Sequence, residues 1–406
     1  MSFKKMLFLF VICSVFSCSN EGDDLASNVE KQDYPAKESS EEANFKFITD
    51  FLSGIVHDDD IVKEVKAGVE TSLLYGLDEE LRFREILKSD DNKLRSASKS
   101  LLAEKLEEAF GNIGKTKSAT EALNGDELET FVLNDNVQIY WPYSERWDGK
   151  EIPFVTYAPT DKDADDVTDV MAYRKIVNPD GTSRIESRMV NEAYAKEHPV
   201  WIINKNEMDY EELPDFKAGE FEKNGRLFVS DLLPDARNNK TLRARTPLVV
   251  FYLGKLTVTT QHDSWIAGGS EFEFTNAQPL APGYTTTGNT KVWSNWSRGQ
   301  ISDGITKGIW QVLNMDWTVE QVQNGLKVVE TDDGKSTAWK LDLGVKLAND
   351  KGLGFTVSAS IPFNNNDDEI YEKILMRSYM TDSESNPATA LHGGRGVKWT
   401  MYTEAK

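Results

Sequence analysis

Cysteine is almost missing from the chain: 406 residues contain two, Cys13 and Cys18, both within the first eighteen positions. The body therefore holds no disulfide framework, no thiol nucleophile and no cysteine-ligated metal. Basic residues are also in deficit, with 46 Lys plus Arg against 67 Asp plus Glu and a formal net charge of -21. So acidic a chain, without any Lys/Arg-rich run, repels phosphate backbones, which excludes nucleic acid as a partner. Long apolar runs are lacking too. A membrane span needs roughly 20 apolar residues, and the longest run in the body is Leu248 to Leu253. Finally, no proline occurs between Ala36 and Trp141, and no tryptophan before Trp141.

The first residues carry an address. Lys4 and Lys5 form a basic n-region, and the apolar stretch from Met6 to Phe16 follows as an h-region of 11 residues, too short to cross a bilayer. Residues 1–17 are expected to be a signal peptide. The tetrapeptide Val15-Phe16-Ser17-Cys18 resembles the bacterial lipobox, with Val15 where leucine is usual. That resemblance implies cleavage before Cys18 and lipid attachment to its thiol. The tract Ser19-Asn20-Glu21-Gly22-Asp23-Asp24 resembles the acidic signal by which Bacteroidota send lipoproteins to the outside of the outer membrane. It implies a cell-surface lipoprotein, with a periplasm-facing anchor as the alternative. Two or more acyl chains hold a protein stably at a membrane, each buried methylene contributing about 0.8 kcal/mol. Residues 18–42, rich in Glu, Asp, Ser and Asn, bury too little to fold and are expected to be a tether, reaching roughly 25 to 30 Å.

Composition then changes twice. From Ile48 through Phe51, Leu52, Ile55 and Val56, and from Val62 through Val65, Val69 and Leu73, apolar residues recur at helical spacing, and Leu94, Leu101, Leu102, Leu106, Ala109 and Phe110 repeat the pattern. Ser39 with Glu42 and Ser118 with Glu121 have the spacing of capping boxes, and Gly76 is a helix stop. Residues 43–130 are expected to form a helical domain. All ten tryptophans and twelve of thirteen prolines follow, in short apolar runs punctuated by turns such as Asn178-Pro179-Asp180-Gly181, Asp333-Gly334 and Asn349-Asp350-Lys351-Gly352. Residues 131–244 are expected to be a mixed hairpin and loop segment, and residues 245–406 an antiparallel β-sandwich. The fold class is α+β, a helical N-terminal domain before a β-rich body.

Candidate chemistry is sparse. Asp161, Asp163, Asp165, Asp166 and Asp169 have the spacing of a calcium loop, but Asp166 stands where an EF-hand needs glycine and Ala172 where it needs a bidentate glutamate. A solvated loop is the expectation; Asn364 to Glu369, a weaker version of the same pattern, is expected to be a polar turn after the strand ending near Phe363. The stretch Ala109 to Thr116 lacks the first glycine of a phosphate-binding loop and follows a helix rather than a strand. Trp293-Ser294-Asn295-Trp296-Ser297 resembles the Trp-Ser-x-Trp-Ser box of cytokine receptors, and on a strand Trp296 and Arg298 share a face and can stack. His57, His198, His262 and His392 make no zinc-peptidase pair, and no Gly-x-Ser-x-Gly elbow occurs. His198 opens an apolar strand, and His392 lies in a glycine-rich loop.

No catalytic residue, metal ligand or cofactor is assigned from the sequence, because 67 acidic residues offer no basis for choosing a carboxylate pair. Trp141, Tyr143 and Trp147, with Trp293 and Trp296, sit where loops meet strands. Exposed there, rings stack on sugars or clamp a peptide; buried, they are core. The expected function is that of a membrane-anchored binding module for a glycan, peptide or partner protein, with an extracytoplasmic hydrolase of dispersed carboxylates as the rival.

Overall fold

In the computed structural model of the chain, the residues described are 40–74, 77–87, 100–113, 125–134, 136–160, 166–206, 248–280, 286–331, 336–346, 354–364 and 367–405. The chain divides into Met1–Glu38 and Ser39–Lys406, and the described residues all belong to the second unit. The signal peptide, Cys18, Ser39, Gly76, Leu94, Ser118 and Glu121, Asp161 to Asp165 and the turns at 333–334 and 349–352 lie outside them. Among the described residues no helix is long and apolar enough to cross a membrane.

Helical periodicity places α1 at Ser40–Ile55 and α2 at Asp59–Leu74. Each begins with acidic residues, Glu41 and Glu42 in one and Asp59 and Asp60 in the other, which favour the positive end of the helix dipole. Phe45, Ile48, Leu52 and Val56 are buried along one stripe, Ile61, Val62, Val65 and Val69 along the other. Further on come α3 (Phe83–Leu87), α4 (Leu101–Asn112) and α5 (Gly125–Asn134). Ser100 caps α4 by accepting the Ala103 N–H at 2.9 Å.

One strand interrupts this helical segment. β1 (Glu80–Arg82) pairs antiparallel with β2 (Val137–Tyr140) and is the edge of a six-stranded sheet. The others are β3 (Phe154–Tyr157), β4 (Asp169–Val177), β5 (Ser183–Asn191) and β6 (Val200–Lys205), in the order β1-β2-β6-β3-β4-β5. β4 and β5 form the expected hairpin, whose Gly181 has φ +83°. A four-residue helix, α6 (Glu192–Ala195), follows β5. Helices and sheet share one core, in which Phe45, Leu52, Val65, Leu102 and Phe131 meet Val137, Trp141, Val155, Trp201 and Ile203. Segments 43–130 and 131–244 thus join through β1. α2 lies close on this strand because residue 68 is glycine: a Cβ there would stand 2.7 Å from Leu81 Cδ1.

Among the described residues from 248 onward the chain is antiparallel β with two short helices. One four-stranded sheet orders β7 (Val249–Val258), β10 (Thr306–Trp317), β15 (Leu391–Gly394) and β16 (Val397–Ala405) as β10-β7-β16-β15. A second orders β8 (Ser270–Leu280), β9 (Thr286–Trp296), β11 (Gln323–Glu330) and β14 (Asp368–Met376) as β14-β11-β8-β9. Phe251, Leu253, Trp317 and Trp399 from the first join Phe272, Phe274, Leu326 and Ile370 from the second in one cluster. The hairpin β12 (Ser336–Lys346) and β13 (Gly354–Asn364) covers the other face of the second sheet, packing Trp339, Leu343, Ile361 and Phe363 on Ala277 and Val329. The helices are α7 (Arg298–Ser302) and α8 (Arg377–Met380).

Several local expectations change. The glycine-rich segment around His392 is strand β15, and its reversal comes at Arg395 and Gly396, with φ +45° and +84°. The runs 248–252 and 255–260 are one strand, β7. Phosphate-loop-like residues 109–113 close α4, and the remainder of that stretch lies outside the described residues. Asp169 opens β4, where its carboxylate accepts from Thr168 Oγ1 at 2.9 Å and Asn191 Nδ2 at 3.0 Å. Of the run 364–369, Asn364 ends β13, its N–H donating to Asp367 at 3.1 Å, Asp368 and Glu369 open β14, and residues 365–366 lie outside the described residues.

Candidate functional site

The most unusual chemistry lies where the six-stranded sheet meets the C-terminal sheets. Asp78, Glu79 and Glu80, in and just before β1, are 2 %, 0 % and 1 % exposed. Three consecutive carboxylates out of water are costly unless each is protonated, hydrogen-bonded or paired. Asp78 accepts the N–H of Glu79 at 2.7 Å and that of Gly269 at 2.5 Å. Glu79 accepts the N–H of Tyr143 at 3.1 Å and that of Arg298 at 3.1 Å. Glu80 accepts from Asn206 Nδ2, and Arg82 Nε stands 3.9 Å away. Burial pushes the pKa of Asp78 up to about 6, against the pull of its two N–H donors, and that of Glu80 up to about 8, against Arg82. Glu79 is raised well above the carboxylate range by burial and by Asp78.

Arg298 is the cation of this seam and is 1 % exposed. Its guanidinium donates to Glu192 Oε1 at 2.9 Å and to the Asp263 carbonyl at 2.6 Å. Tyr143 Oη donates to the same Glu192 oxygen at 2.9 Å. Arg298 does not stack on Trp296 as a strand register would have it, because β9 ends at Trp296 and Arg298 is the first residue of α7. The cation over the Trp296 ring is instead Lys307, at 4.4 Å, which burial brings down to a pKa of about 8.

Across the seam the loop after β7 supplies Asp263, and the strand ends supply Glu271 and Glu330. One carboxylate oxygen from each lies within 4.8 Å of the other two. Asp78, Asp263 and Glu271, together with Gln138, Asn206 and the Ala267-Gly268-Gly269 backbone, line a cleft of about 20 Å³, room for about one water. Pockets for organic ligands run from about 300 to 1,000 Å³. This one suits a water better than a sugar ring, and its lining contains no aromatic side chain among the described residues.

A second feature lies on the outer face of the sheet β10-β7-β16-β15. Alternation turns Phe251, Leu253 and Met401 inward and leaves Tyr252 and Tyr402 on the other face. Those two rings stack at 5.1 Å and 15°. Trp310 meets Tyr402 edge-on at 6.2 Å. The tryptophan is 46 % exposed and sits in a bulge of β10 with φ +53°. A bulky side chain at positive φ is strained by about 1 to 3 kcal/mol and is held only where its surroundings demand it. Residue 308 must be glycine for this placement, since a Cβ there would collide with the indole Nε1.

The aromatics singled out from the sequence are mostly interior. Trp141 and Trp296 are 0 % exposed, Tyr143 is 5 %, and Trp147 and Trp293 are half-buried. Trp147 tilts against Trp141 at 5.4 Å. His198 is satisfied locally, stacked on Tyr194 at 4.4 Å with Nδ1 3.0 Å from Glu151. His392 pairs with Asn386 at 3.1 Å. Neither the acidic triplet at 78–80 nor Trp310 was singled out from the sequence. The one available signal for the triplet was its place between two helical stretches beside Leu77, Leu81 and Phe83, an apolar context for three charges. Comparison of the chain with protein-family models, curated proteins and solved structures returns no match.

Proposed function

We propose that this protein is a lipid-anchored envelope protein, held at the outer membrane through Cys18 and directed to the cell surface by its acidic leader, whose body binds a ligand without transforming it. The observation that carries the binding reading is Trp310, an exposed indole held at positive φ beside the stacked Tyr252 and Tyr402. Rings in such a row offer π faces and C–H contacts to a sugar, and strain kept at an exposed residue is a mark of function. A glycan, peptide or partner protein fits a ring-lined face. A neutral glycan fits best, because a chain of net charge -21 repels anionic polymers. We further infer that the two four-stranded sheets are the layers of a sandwich, since their inward residues share one cluster. One outer face is covered by the hairpin β12-β13, and the aromatic row occupies the other.

The hydrolase alternative draws support from the clustered carboxylates, yet glycoside hydrolysis needs an acid pair about 5 to 10 Å apart flanking a bound sugar. The carboxylate cleft is small and carries no ring to stack on one. The test is retention of the full-length chain, in detergent, in gels containing neutral polysaccharides (β-glucan, xylan, mannan or α-glucan). Retention lost on Trp310→Ala is expected; equal migration of wild type and variant in every gel, or release of reducing sugar, would overturn the reading. Incorporation of labelled fatty acid into wild type but not Cys18→Ser tests the anchor.

A further inference from the structure

From the open outer edge of β5, we propose that two copies of this chain pair antiparallel through that strand, about a twofold axis at Ser187, so that their two six-stranded sheets become one.

β5 is the last strand of its sheet, and among the described residues no strand pairs with its outer side. Such an edge is a template for another strand unless a bulge or a proline blunts it. β5 has neither: its nine residues hold no proline and follow β4 in unbroken register, whereas the edge strand β10 is interrupted by bulges. The Asn178 N–H donates to the Thr182 carbonyl at 2.8 Å. Alternation from that pair gives the N–H and C=O groups of Arg184, Glu186, Arg188 and Val190 to β4. Those of Ser183, Ile185, Ser187, Met189 and Asn191 turn outward. The Met171 carbonyl fits the same alternation, since it accepts from Thr156 Oγ1 of β3 at 2.9 Å, on the side away from β5.

The side chains select the partner and the register. With Ser187 opposite its own copy, outward-turned backbone groups meet outward-turned groups. Ile185 then stands opposite Met189 of the second copy, and Glu186 opposite Arg188. A centre at Glu186 or at Arg188 sets that residue against its own charge, which is destabilising. A centre at Ile185 runs Met189 past the strand to the turn at Gly181. Ile185 is 58 % and Met189 52 % exposed, and with Met171 and Val177, also exposed, they lie on one face of the hairpin. Pairing covers the first two in both copies, which a lone acidic chain leaves in water. On the opposite face Glu186 already accepts from Arg174 at 2.9 Å, and Arg188 lies over the Tyr194 ring at 4.4 Å. The strand carries two arginines and one glutamate, so the repulsion between two chains of net charge -21 is reversed locally at this edge.

The dimer is independent of the aromatic row, and its test needs no glycan. The full-length chain in excess detergent, at tens of micromolar, is expected to sediment as a dimer. Arg188→Glu sets Glu186 against a second carboxylate, and Ile185→Lys, at an exposed position, removes the apolar pair. Each should raise the dimer Kd about tenfold or more, because the twofold axis counts every change twice. Ser187→Cys places two thiols on residues about 5.5 Å apart at Cα, within disulfide reach, and oxidation should give a covalent dimer on a non-reducing gel. Arg184→Cys, roughly 20 Å from its counterpart in this register, should crosslink no more than the wild type, whose own Cys13 and Cys18 set the background. A monomer over the whole range overturns the proposal and leaves the edge to an unrelated extended peptide. A dimer of unchanged affinity in both folded variants overturns it too, as does equal crosslinking through positions 184 and 187.

Discussion

The two halves of the described body bury their surfaces by different rules, and the contrast shows which residues periodicity explains. In residues 40–206, α1, α2, α4 and α5 lay apolar stripes on a sheet, and the burial repeats every three to four residues. In residues 248–405, two sheets turn alternate residues into a common cluster, and the burial repeats every two. At their junction neither rule holds. Asp78, Glu79, Glu80 and Arg298 are buried as deeply as any leucine, and what permits it is a set of named partners: the N–H groups of Gly269, Tyr143 and Arg298, and the carboxylate of Glu192. Periodic burial tolerates substitution by residues of similar size, whereas partner-dependent burial does not.

The sharpest way to break that comparison is to remove the cation from the junction. Arg298→Ala leaves the Asp263 carbonyl without its donor, leaves Glu192 with Tyr143 Oη alone, and takes the guanidinium away from the buried Asp78 and Glu79. Loss of about 3 to 5 kcal/mol is expected, read by denaturant unfolding. Should it cost less than about 1 kcal/mol, the range of an ordinary exposed pair, the seam is no more demanding than the surface.

A pH series is the next test. Glu80 has a folded-state pKa raised from 4.5 to about 8 by burial. A carboxyl so raised lends stability that is fully present below the unfolded value, near 4.5, and is lost as pH climbs through the folded one. Wild-type stability should fall between pH 4.5 and 8, opposite to the behaviour of a salt-bridged carboxylate. Glu80→Gln, which keeps the shape and stays neutral, should flatten that slope and gain on the order of 2 kcal/mol at pH 8.5. Parallel melting curves for the two proteins would show that Glu80 is ionised in the fold.

Smaller still is the cap that holds Arg298 in place. Ser297 Oγ accepts the Gln300 N–H at 3.1 Å, and Gln300 Oε1 accepts the Ser297 N–H at 3.2 Å, a capping box on a helix of five residues. Ser297→Ala should cost about 1 kcal/mol by chemical denaturation. A much larger loss would mean that the cap and the seam act as one unit.

These magnitudes also explain what the sequence made readable. Helices α1, α2 and α4 and the strands β2, β4, β5, β6 and β13 follow from apolar spacing and turn chemistry, since each buries one face against a broad surface that asks only for hydrophobicity. β1 did not follow, because its burial answers to β2 on one side and to α2 over Gly68 on the other, contacts with residues far off in sequence. The carboxylate cleft was hidden for the same reason: Asp78, Asp263, Glu271 and Glu330 are spread across 252 positions and look like any other of 67 acids. Trp310 was passed over because a bulge, not an alternation, sets its direction.

That last residue supplies the smallest effect on stability and the clearest separation of the two kinds of burial. Trp310 has φ +53°, a conformation that glycine adopts without strain. Trp310→Gly removes the strain and also the packing of the indole over Gly308 and against Tyr402. Strain relief of about 1 to 3 kcal/mol opposes the loss of a half-exposed ring, for which full burial would be worth about 1.5 to 3 kcal/mol. The net change in stability should stay within about 1 kcal/mol of zero. Binding should respond differently, because nothing replaces the π face. If Trp310→Gly melts with the wild type yet is not retained by any neutral polysaccharide that retains the wild type, the ring serves a ligand rather than the fold. Were the variant instead to unfold at markedly lower denaturant, Trp310 would be a structural residue like Trp317 or Trp399, and the outer face of the sheet would lose its claim to be a binding surface.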